Sequence, residues 1–310
     1  MESWDVVIIG AGAAGLTAGI YAVRNGLKAL ILEEKMAGGT MIDAPLIENY
    51  PGFERLAGMD LAQRLVAHSR KAGAAIHEFE SVTALDLMGE KKIVHTGTAA
   101  YEAKALIIAS GSHYREVGVP GEKEFRGRGV SYCGLCDGPL FKGKRVLVVG
   151  GGNSALITAL YLSENASEVK IAHRRDAFRA EEALVKALRD RKNVEVLWNN
   201  ELKEIKGDKT VSGAVLFNNG TGETWELPVN GVFVQVGEDP NSQIAGQAGV
   251  ETDAEGYVKV DILQHTNIEG VFAAGDVTNQ PVKQVGTAVG QAITAAVEAY
   301  NFIRRPYYKQ

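Results

Sequence analysis

Short apolar runs closed by glycine recur along this chain and set its plan. Val6-Val7-Ile8-Ile9 is β-branched throughout and leads straight into Gly10-Ala11-Gly12-Ala13-Ala14-Gly15, after which Leu16, Ile20 and Val23 recur on one face at helical spacing. An unbroken run suits a parallel strand buried on both faces, whereas alternation would leave one face wet. Ala29-Leu30-Ile31-Leu32 predicts a second such strand, ending at Glu33. Residues 60–71 read as an amphipathic helix through Leu61, Leu65 and His68. Strands are expected over 75–77, 81–86, 92–95 and 105–109, the last entering the turn Ser110-Gly111-Ser112. The pattern then repeats: Lys144-Arg145-Val146-Leu147-Val148-Val149 is closed by Gly150-Gly151-Gly152-Asn153-Ser154-Ala155. Val232-Phe233-Val234-Gln235-Val236 ends at Gly237, and Gly270-Val271-Phe272-Ala273-Ala274 ends at Gly275-Asp276. A final helix is expected over 287–303, rich in small residues and stopping before Pro306.

Two of these turns carry a dinucleotide fingerprint. Glycines at such a turn allow the tight bend and the close approach of backbone to a pyrophosphate, which then faces a helix N-terminus. The second copy has Ala155 where the first has Gly15, so the chain contains an internal repeat at the level of the fold. The repeat also sets up a comparison. Glu33 stands as far past Gly10 as His173 stands past Gly150. A carboxylate there accepts from a free ribose 2′-hydroxyl and repels a 2′-phosphate. The second copy offers His173-Arg174-Arg175 with Arg179 one turn on, and guanidiniums favour the phosphate. The expected ligands are therefore FAD at the first turn and NADPH at the second.

Composition narrows the class. Glycine supplies 36 of 310 residues against 8 prolines, and it gathers behind apolar runs as turns around ligands do. A net charge of −5 with no dense basic stripe argues against a nucleic-acid partner. No run of about 18 apolar residues exists to span a membrane, and the N-terminus enters a strand with no signal-peptide pattern, so a cytoplasmic protein is expected. His68, His77, His95 and His113 lack metal-ligand spacing, and no metal site is expected.

Cys133 and Cys136 are the only cysteines. A structural disulfide between them would close too short a loop to stabilise much, and a zinc site would need a second ligand pair. A redox-active dithiol fits best, lying between two nucleotide turns. The polar stretch 116–128 reads as a domain boundary, and Gly246 to Gly249 as the return crossing.

The chain resembles the low-molecular-weight thioredoxin reductases, the class II pyridine nucleotide-disulfide oxidoreductases. The resemblance rests on both glycine motifs, Glu48-Asn49-Tyr50-Pro51-Gly52, Cys133-Gly134-Leu135-Cys136-Asp137-Gly138, His173-Arg174-Arg175 and Gly270 to Val277. It implies an α/β chain of two Rossmann-like three-layer ββα domains. An FAD domain would be formed by 1–116 and 246–310, and an NADPH domain over 117–245, carrying the cysteines, would be inserted into it. It also implies a homodimer, rotation of the NADPH domain during turnover, and electron flow from NADPH through FAD and the disulfide to thioredoxin or a similar small dithiol protein. In that scheme Cys136 serves the flavin, Cys133 exchanges with the partner, and Asp137 is the acid/base. The first nucleotide would be lined by Gly10, Gly12, Ala13, Ala14, Gly15, Glu33, Gly38, Gly39, Thr40, Asn49, Ser110, Gly111, Gly275, Asp276, Lys283, Gln284 and Val285. The second would be lined by Gly150, Gly152, Asn153, Ser154, Ala155, His173, Arg174, Arg175, Arg179 and Gly237. Thr40 replaces a usual glutamine, Lys283-Gln284 a usual Arg-Gln, and Gly290-Gln291 a usual Gly-Asp, which fits a divergent subgroup. Some such relatives take electrons from a deazaflavin or ferredoxin and have lost the NADPH determinants. Those determinants are retained here, so NADPH stands first, ahead of such a donor and of a flavin-based redox sensor.

Overall fold

The computed structural model describes residues 1–44 and 47–304, so the expected stop at Pro306 lies outside the described residues. The chain divides into two compact units, Met1–His113 with Asp239–Gln310, and Tyr114–Glu238.

In the first unit four parallel strands lie in the order Ala75–His77, Ala29–Leu32, Glu2–Ile9 and Ala100–Ile108. Along its outer edge, Ala100–Ile108 pairs first with the antiparallel strand Lys92–Thr96 and then with the parallel strand Val271–Ala273 from late in the chain. Val82–Asp86 extends the sheet beyond Lys92–Thr96. The strand expected at 105–109 is thus the second half of a longer one. Its first half buries Tyr101 and Ala103 and exposes Lys104, an alternation that does not read as a buried run.

Strand parity divides the core in two. Ile8, Ile31 and Ile107 face helices Ala13–Arg24 and Val285–Arg304, while Val7, Leu30, Leu106 and Ile108 face Val94, Val250 and Val258. Helix Gly58–Ala72 ends on Gly73 in the left-handed region, at φ 107°. It buries Leu61 and Ala62, but His68 is exposed and Ser69 takes the inward place, where a small side chain fits against Gly19. Gly246 and Gly249 flank the end of a short helix, Gln243–Gln247, inside the first unit; Ala245 and Val250 are buried in its core, and the chain passes between units at Glu238–Asp239.

The second unit is a parallel sheet in the order Val194–Trp198, Glu168–His173, Arg145–Gly150, Gly231–Gln235 and Val130–Ser131. Val146, Val148 and Phe233 pack under helices Asn153–Ser163 and Glu182–Arg189. Leu147, Val149 and Val232 face an antiparallel sheet of Asn200–Gly207, Val211–Asn218 and Thr224–Leu227. Helices, parallel sheet and antiparallel sheet make the expected three layers. Among the described residues no helix is long and apolar enough to cross a membrane, and no cluster of metal-ligating side chains forms.

Candidate redox and nucleotide sites

At the first turn, the chain leaves the strand at Gly10 with φ 99°, where a Cβ would stand 2.4 Å from the carbonyl oxygen of Ala109. A Cβ on Gly15 would stand 1.8 Å from the carbonyl oxygen of Gly10, so the helix packs backbone against backbone. Helix Ala13–Arg24 has no side-chain cap, and its first amides point out of the turn. The Glu33 carboxylate accepts from the Ala11 amide at 2.7 Å and from the Lys35 amide at 3.0 Å, which fixes the acid at the edge of the turn. The Gly38 amide donates to the Ala11 carbonyl at 2.8 Å, and a Cβ on Gly39 would meet Gly12 Cα at 2.8 Å. Gly38 and Gly39 are thereby laid against Gly12, with Thr40 exposed just beyond.

The late segment of the same unit closes on this turn. A Cβ on Gly275 would lie 3.0 Å from the Cβ of Ala14. Asn49 Nδ2 donates to Gln284 Oε1 at 3.0 Å, joining residues far apart in sequence. Lys283 does not reach outward: its Nζ donates to the carbonyls of Asp276 and Thr278 and lies 4.0 Å from the centre of the Tyr257 ring. Its work is to hold the loop that carries Asp276. Ser110 and Gly111 are spent on the chain's return, because the Ser110 hydroxyl donates to the Asn241 carbonyl at 2.6 Å and the Asn241 amide donates to the Gly111 carbonyl at 3.0 Å. Val285 opens the last helix.

The second turn repeats the plan with different chemistry. Gly150 has φ 149° and would place a Cβ 2.2 Å from the Gln235 carbonyl oxygen. A Cβ on Gly152 would meet no atom within 4 Å. Packing gives no reason for glycine at that position, whereas the approach of a phosphate does. Ala155 is fully buried and Ser154 exposed. Asn153 accepts from the Glu181 amide and donates to the Glu181 carboxylate, both at 2.9 Å, which clasps the helix start to the loop after His173. The Arg179 amide donates to the Gly151 carbonyl at 2.8 Å. Gly237, at φ 128°, accepts from the Arg115 amide at 3.0 Å.

His173 departs from its expected role. It is buried, Nε2 donates to the Ala177 carbonyl at 3.0 Å, and its ring stacks on Phe178 beneath Gly151. Burial holds its pKa below the usual range, against the Ala177 bond, and the neighbouring arginines push the same way as burial. It is a neutral platform for the loop. Arg174, Arg175 and Arg179 form the exposed cationic set.

The cysteines stand in this second unit as a disulfide, Cα to Cα 5.3 Å. Cys133 is the N-cap of the single turn Gly134–Asp137, and its Sγ accepts from the Cys136 amide at 3.2 Å. Added Cβ atoms on Gly134 and Gly138 would strike Thr158 at 2.6 Å and Tyr161 at 2.8 Å. The glycines therefore let the dithiol lie directly on helix Asn153–Ser163, which begins at the nucleotide turn. Tyr132, the residue before Cys133, donates to Glu122 at 2.8 Å, and its carbonyl accepts from Gln235 Nε2 at 2.8 Å. Glu122 is 1% exposed and also takes the amides of Val117 and Gly118, so the polar stretch at 116–128 is anchored behind the disulfide. Burial raises the Tyr132 hydroxyl's pKa, and Glu122 raises it further. Burial also raises the pKa of Asp137.

A disulfide backed by a carboxyl group of raised pKa, on the same unit as an arginine-lined nucleotide turn, is an arrangement for moving electrons between a nucleotide and thiols. Residues 4–292 match the family described as Pyridine nucleotide-disulphide oxidoreductase. The chain belongs to that family. Among curated relatives, it is 42% identical to a thioredoxin reductase of Bacillus subtilis over 301 residues, 97% of this chain and 95% of the other. Among solved structures, it is similar to a thioredoxin reductase of Streptococcus pyogenes, with a TM-score of 0.92 and 38% identity over 97% of this chain and 98% of that one. A thioredoxin reductase of Giardia duodenalis gives a TM-score of 0.92 at 34% identity over 98% and 99%.

As a pyridine nucleotide-disulphide oxidoreductase the chain needs a flavin site and a nicotinamide site, and the two turns fit them. Each has a glycine whose Cβ would collide with backbone, an uncapped helix start, and the charge suited to its ligand. Gln291, which stands where the family's usual pattern has Asp, had no partner legible in the sequence. Buried in the last helix, it accepts from the Gly275 amide at 2.8 Å and donates to Thr278 at 3.2 Å, fixing the Gly-Asp loop from behind.

Proposed function

We propose that the protein is a cytoplasmic thioredoxin-disulfide reductase, working as a homodimer, that passes electrons from NADPH through FAD and the Cys133–Cys136 disulfide to thioredoxin or a similar small dithiol protein. The observation that carries this reading is the disulfide itself, seated on the helix that starts at the second nucleotide turn. Bound NADPH and FAD would supply a hydride and its onward transfer as two electrons. In the first unit, Gly10, Gly12, Gly15, Gly38, Gly39 and Glu33 would hold the FAD, with Asn49, Gln284, Gly275 and Asp276 at its other end. In the second, Gly150, Gly152 and the three arginines would hold the NADPH.

The chain's own chemistry is thiol exchange. The disulfide takes up two electrons and two protons to give the dithiol. Cys133, as thiolate, attacks one sulfur of the partner's disulfide; a mixed disulfide forms and the other partner sulfur leaves as thiolate. Cys136, as thiolate, then attacks Cys133, re-forming the internal disulfide and releasing the partner's second sulfur. Each departing thiolate gains from a nearby proton, and Asp137, held protonated to higher pH by burial, would supply it.

The arginines favour NADPH over a deazaflavin or ferredoxin as donor. Anaerobic titration with NADPH tests this: the flavin band bleaches and more than one equivalent is taken up. A flavin that stays oxidised with NADPH, yet reduces with dithionite, would assign another donor. Replacing Cys133 with Ser should leave FAD bound and NADPH-reducible while abolishing reduction of thioredoxin, and retained activity overturns the assignment.

A further inference from the structure

Glu33, the acid of the first nucleotide turn, is gripped through its backbone by residues 77–80, at the end of the strand Ala75–His77. Its amide donates to the His77 carbonyl at 2.9 Å, and its carbonyl accepts from the Glu80 amide at 2.8 Å. A regular parallel ladder would return that carbonyl to the amide of Phe79, two residues past His77. The pairing skips Phe79, which takes up the extra residue with φ 59° and donates to the Lys35 carbonyl at 3.2 Å. The Phe79 side chain is exposed, so its own packing does not impose this left-handed conformation, and the neighbours on either side must. Glu78 joins the grip: its Oε1 accepts from the Ala37 amide at 2.8 Å, one residue before Gly38.

The Glu80 carboxylate ties this grip to the sheet. Its Oε1 accepts from the Tyr101 hydroxyl at 2.7 Å and from the Thr96 hydroxyl at 2.8 Å, and its Oε2 lies 3.1 Å from His77 Nδ1. Tyr101 is buried in the strand Ala100–Ile108, beside Glu2–Ile9, which leads into the first nucleotide turn. Burial alone would raise the Glu80 pKa, but the bonds from Tyr101, Thr96 and His77 hold it below the usual carboxylate range. Burial and Glu80 together push the Tyr101 hydroxyl up to about 12. An ionised acceptor with three partners is a firm anchor. We propose that Glu80 is a positioning residue for the FAD: it fastens the turn 77–80 to the sheet and thereby holds Glu33 at the 2′-hydroxyl of the adenosine ribose. The inference rests on the reading of Glu33 as the ribose acid.

The test is equilibrium exchange of the holoprotein's FAD against an FAD analogue whose adenosine carries 2′-deoxyribose, with the bound flavins then recovered and separated by chromatography. The wild type should prefer FAD about tenfold or more, because a hydrogen bond to a charged group is worth at least that factor. Glu33→Ala should take both flavins equally. Glu80→Gln, which leaves Glu33 in place, should lose most of the wild-type preference. Tyr101→Phe removes one anchoring hydroxyl while keeping the buried ring, and should lower the preference part-way; it carries the test alone should Glu80→Gln not fold. A variant that weakens both flavins by the same factor, with the preference intact, shows that Glu80 supports the fold and nothing more, and overturns the proposal. The two readings fail separately. A wild type that takes both flavins equally sinks the ribose reading of Glu33 and the proposal with it, whereas wild-type preference kept in both Glu80→Gln and Tyr101→Phe overturns the proposal and leaves that reading standing.

Discussion

Gln235 donates from Nε2 to the carbonyl of Tyr132 at 2.8 Å, across more than a hundred residues of sequence. Gln235 is also paired in the sheet with Gly150, the first glycine of the second nucleotide turn. One side chain thus joins the strand end that shapes the nucleotide turn to the residue preceding the first redox cysteine. Replacing Gln235 with Leu should cost about 1 kcal/mol, read from the urea midpoint, since a net hydrogen bond is worth about that much. Exchange with thioredoxin should slow while flavin content stays at wild-type level.

The arginine set should discriminate between nucleotides. Arg174→Ala combined with Arg175→Ala should raise KM for NADPH about tenfold or more, because each guanidinium makes a charge-assisted bond worth about 1.5–3 kcal/mol. KM for NADH and the kcat with either nucleotide should change little. Steady-state kinetics with both nucleotides decides it, and an equal loss for NADH would remove the arginines from the 2′-phosphate site.

Gly10→Ala should destabilise by about 2–4 kcal/mol, since it combines a positive φ with an added atom 2.4 Å from a backbone oxygen that cannot move aside. The purified variant should be largely colourless, with a lowered melting temperature. Gly152→Ala is the contrast. Its Cβ meets no protein atom, so the fold should hold while NADPH binding weakens.

Asp5 gives a prediction for acid. Burial alone would raise its pKa, but the bonds from Lys104 and from the Lys28 amide, with Lys104 and Arg304 as nearby charges, hold it below the usual carboxylate range. A carboxyl group held low in the folded state stabilises that state above its unfolded pKa of about 3.9, and the contribution is lost as pH falls through the lower folded value. Asp5→Asn should therefore be less stable near neutrality, and the difference should vanish at the acid end of a urea-midpoint series. A constant difference at all pH values would mean the side chain acts by shape alone.

Much of the architecture was legible because its signals are local. A β-branched run closed by glycine is visible within ten residues, and both nucleotide turns are of that kind. The dithiol was legible because it is the only cysteine pair. What the sequence withheld depends on distance or on burial. His173 reads as a cation until its ring is seen beneath Gly151, bonded to the Ala177 carbonyl. Lys283 reads as a ligand until its ammonium is seen on the Asp276 and Thr278 carbonyls. Gln291 and Gln235 owe their importance to partners on remote segments, which no short pattern contains. The first half of Ala100–Ile108 was hidden by alternation, since its pattern is that of any half-wet strand.

The outer edge of Ala100–Ile108 is completed by Val271–Ala273, and the face of helix Ala13–Arg24 by Val285–Arg304. Both partners follow the stretch Tyr114–Glu238 in the chain, so a ribosome makes them after it. The unit Tyr114–Glu238, by contrast, is one continuous stretch. During synthesis the stretch that carries the disulfide can finish folding while the N-terminal piece still waits, its apolar surface uncovered, for those later segments. The order of birth is then the reverse of the order along the sequence: the inserted unit matures first. The interval between the two events is when the nascent protein is most exposed to aggregation.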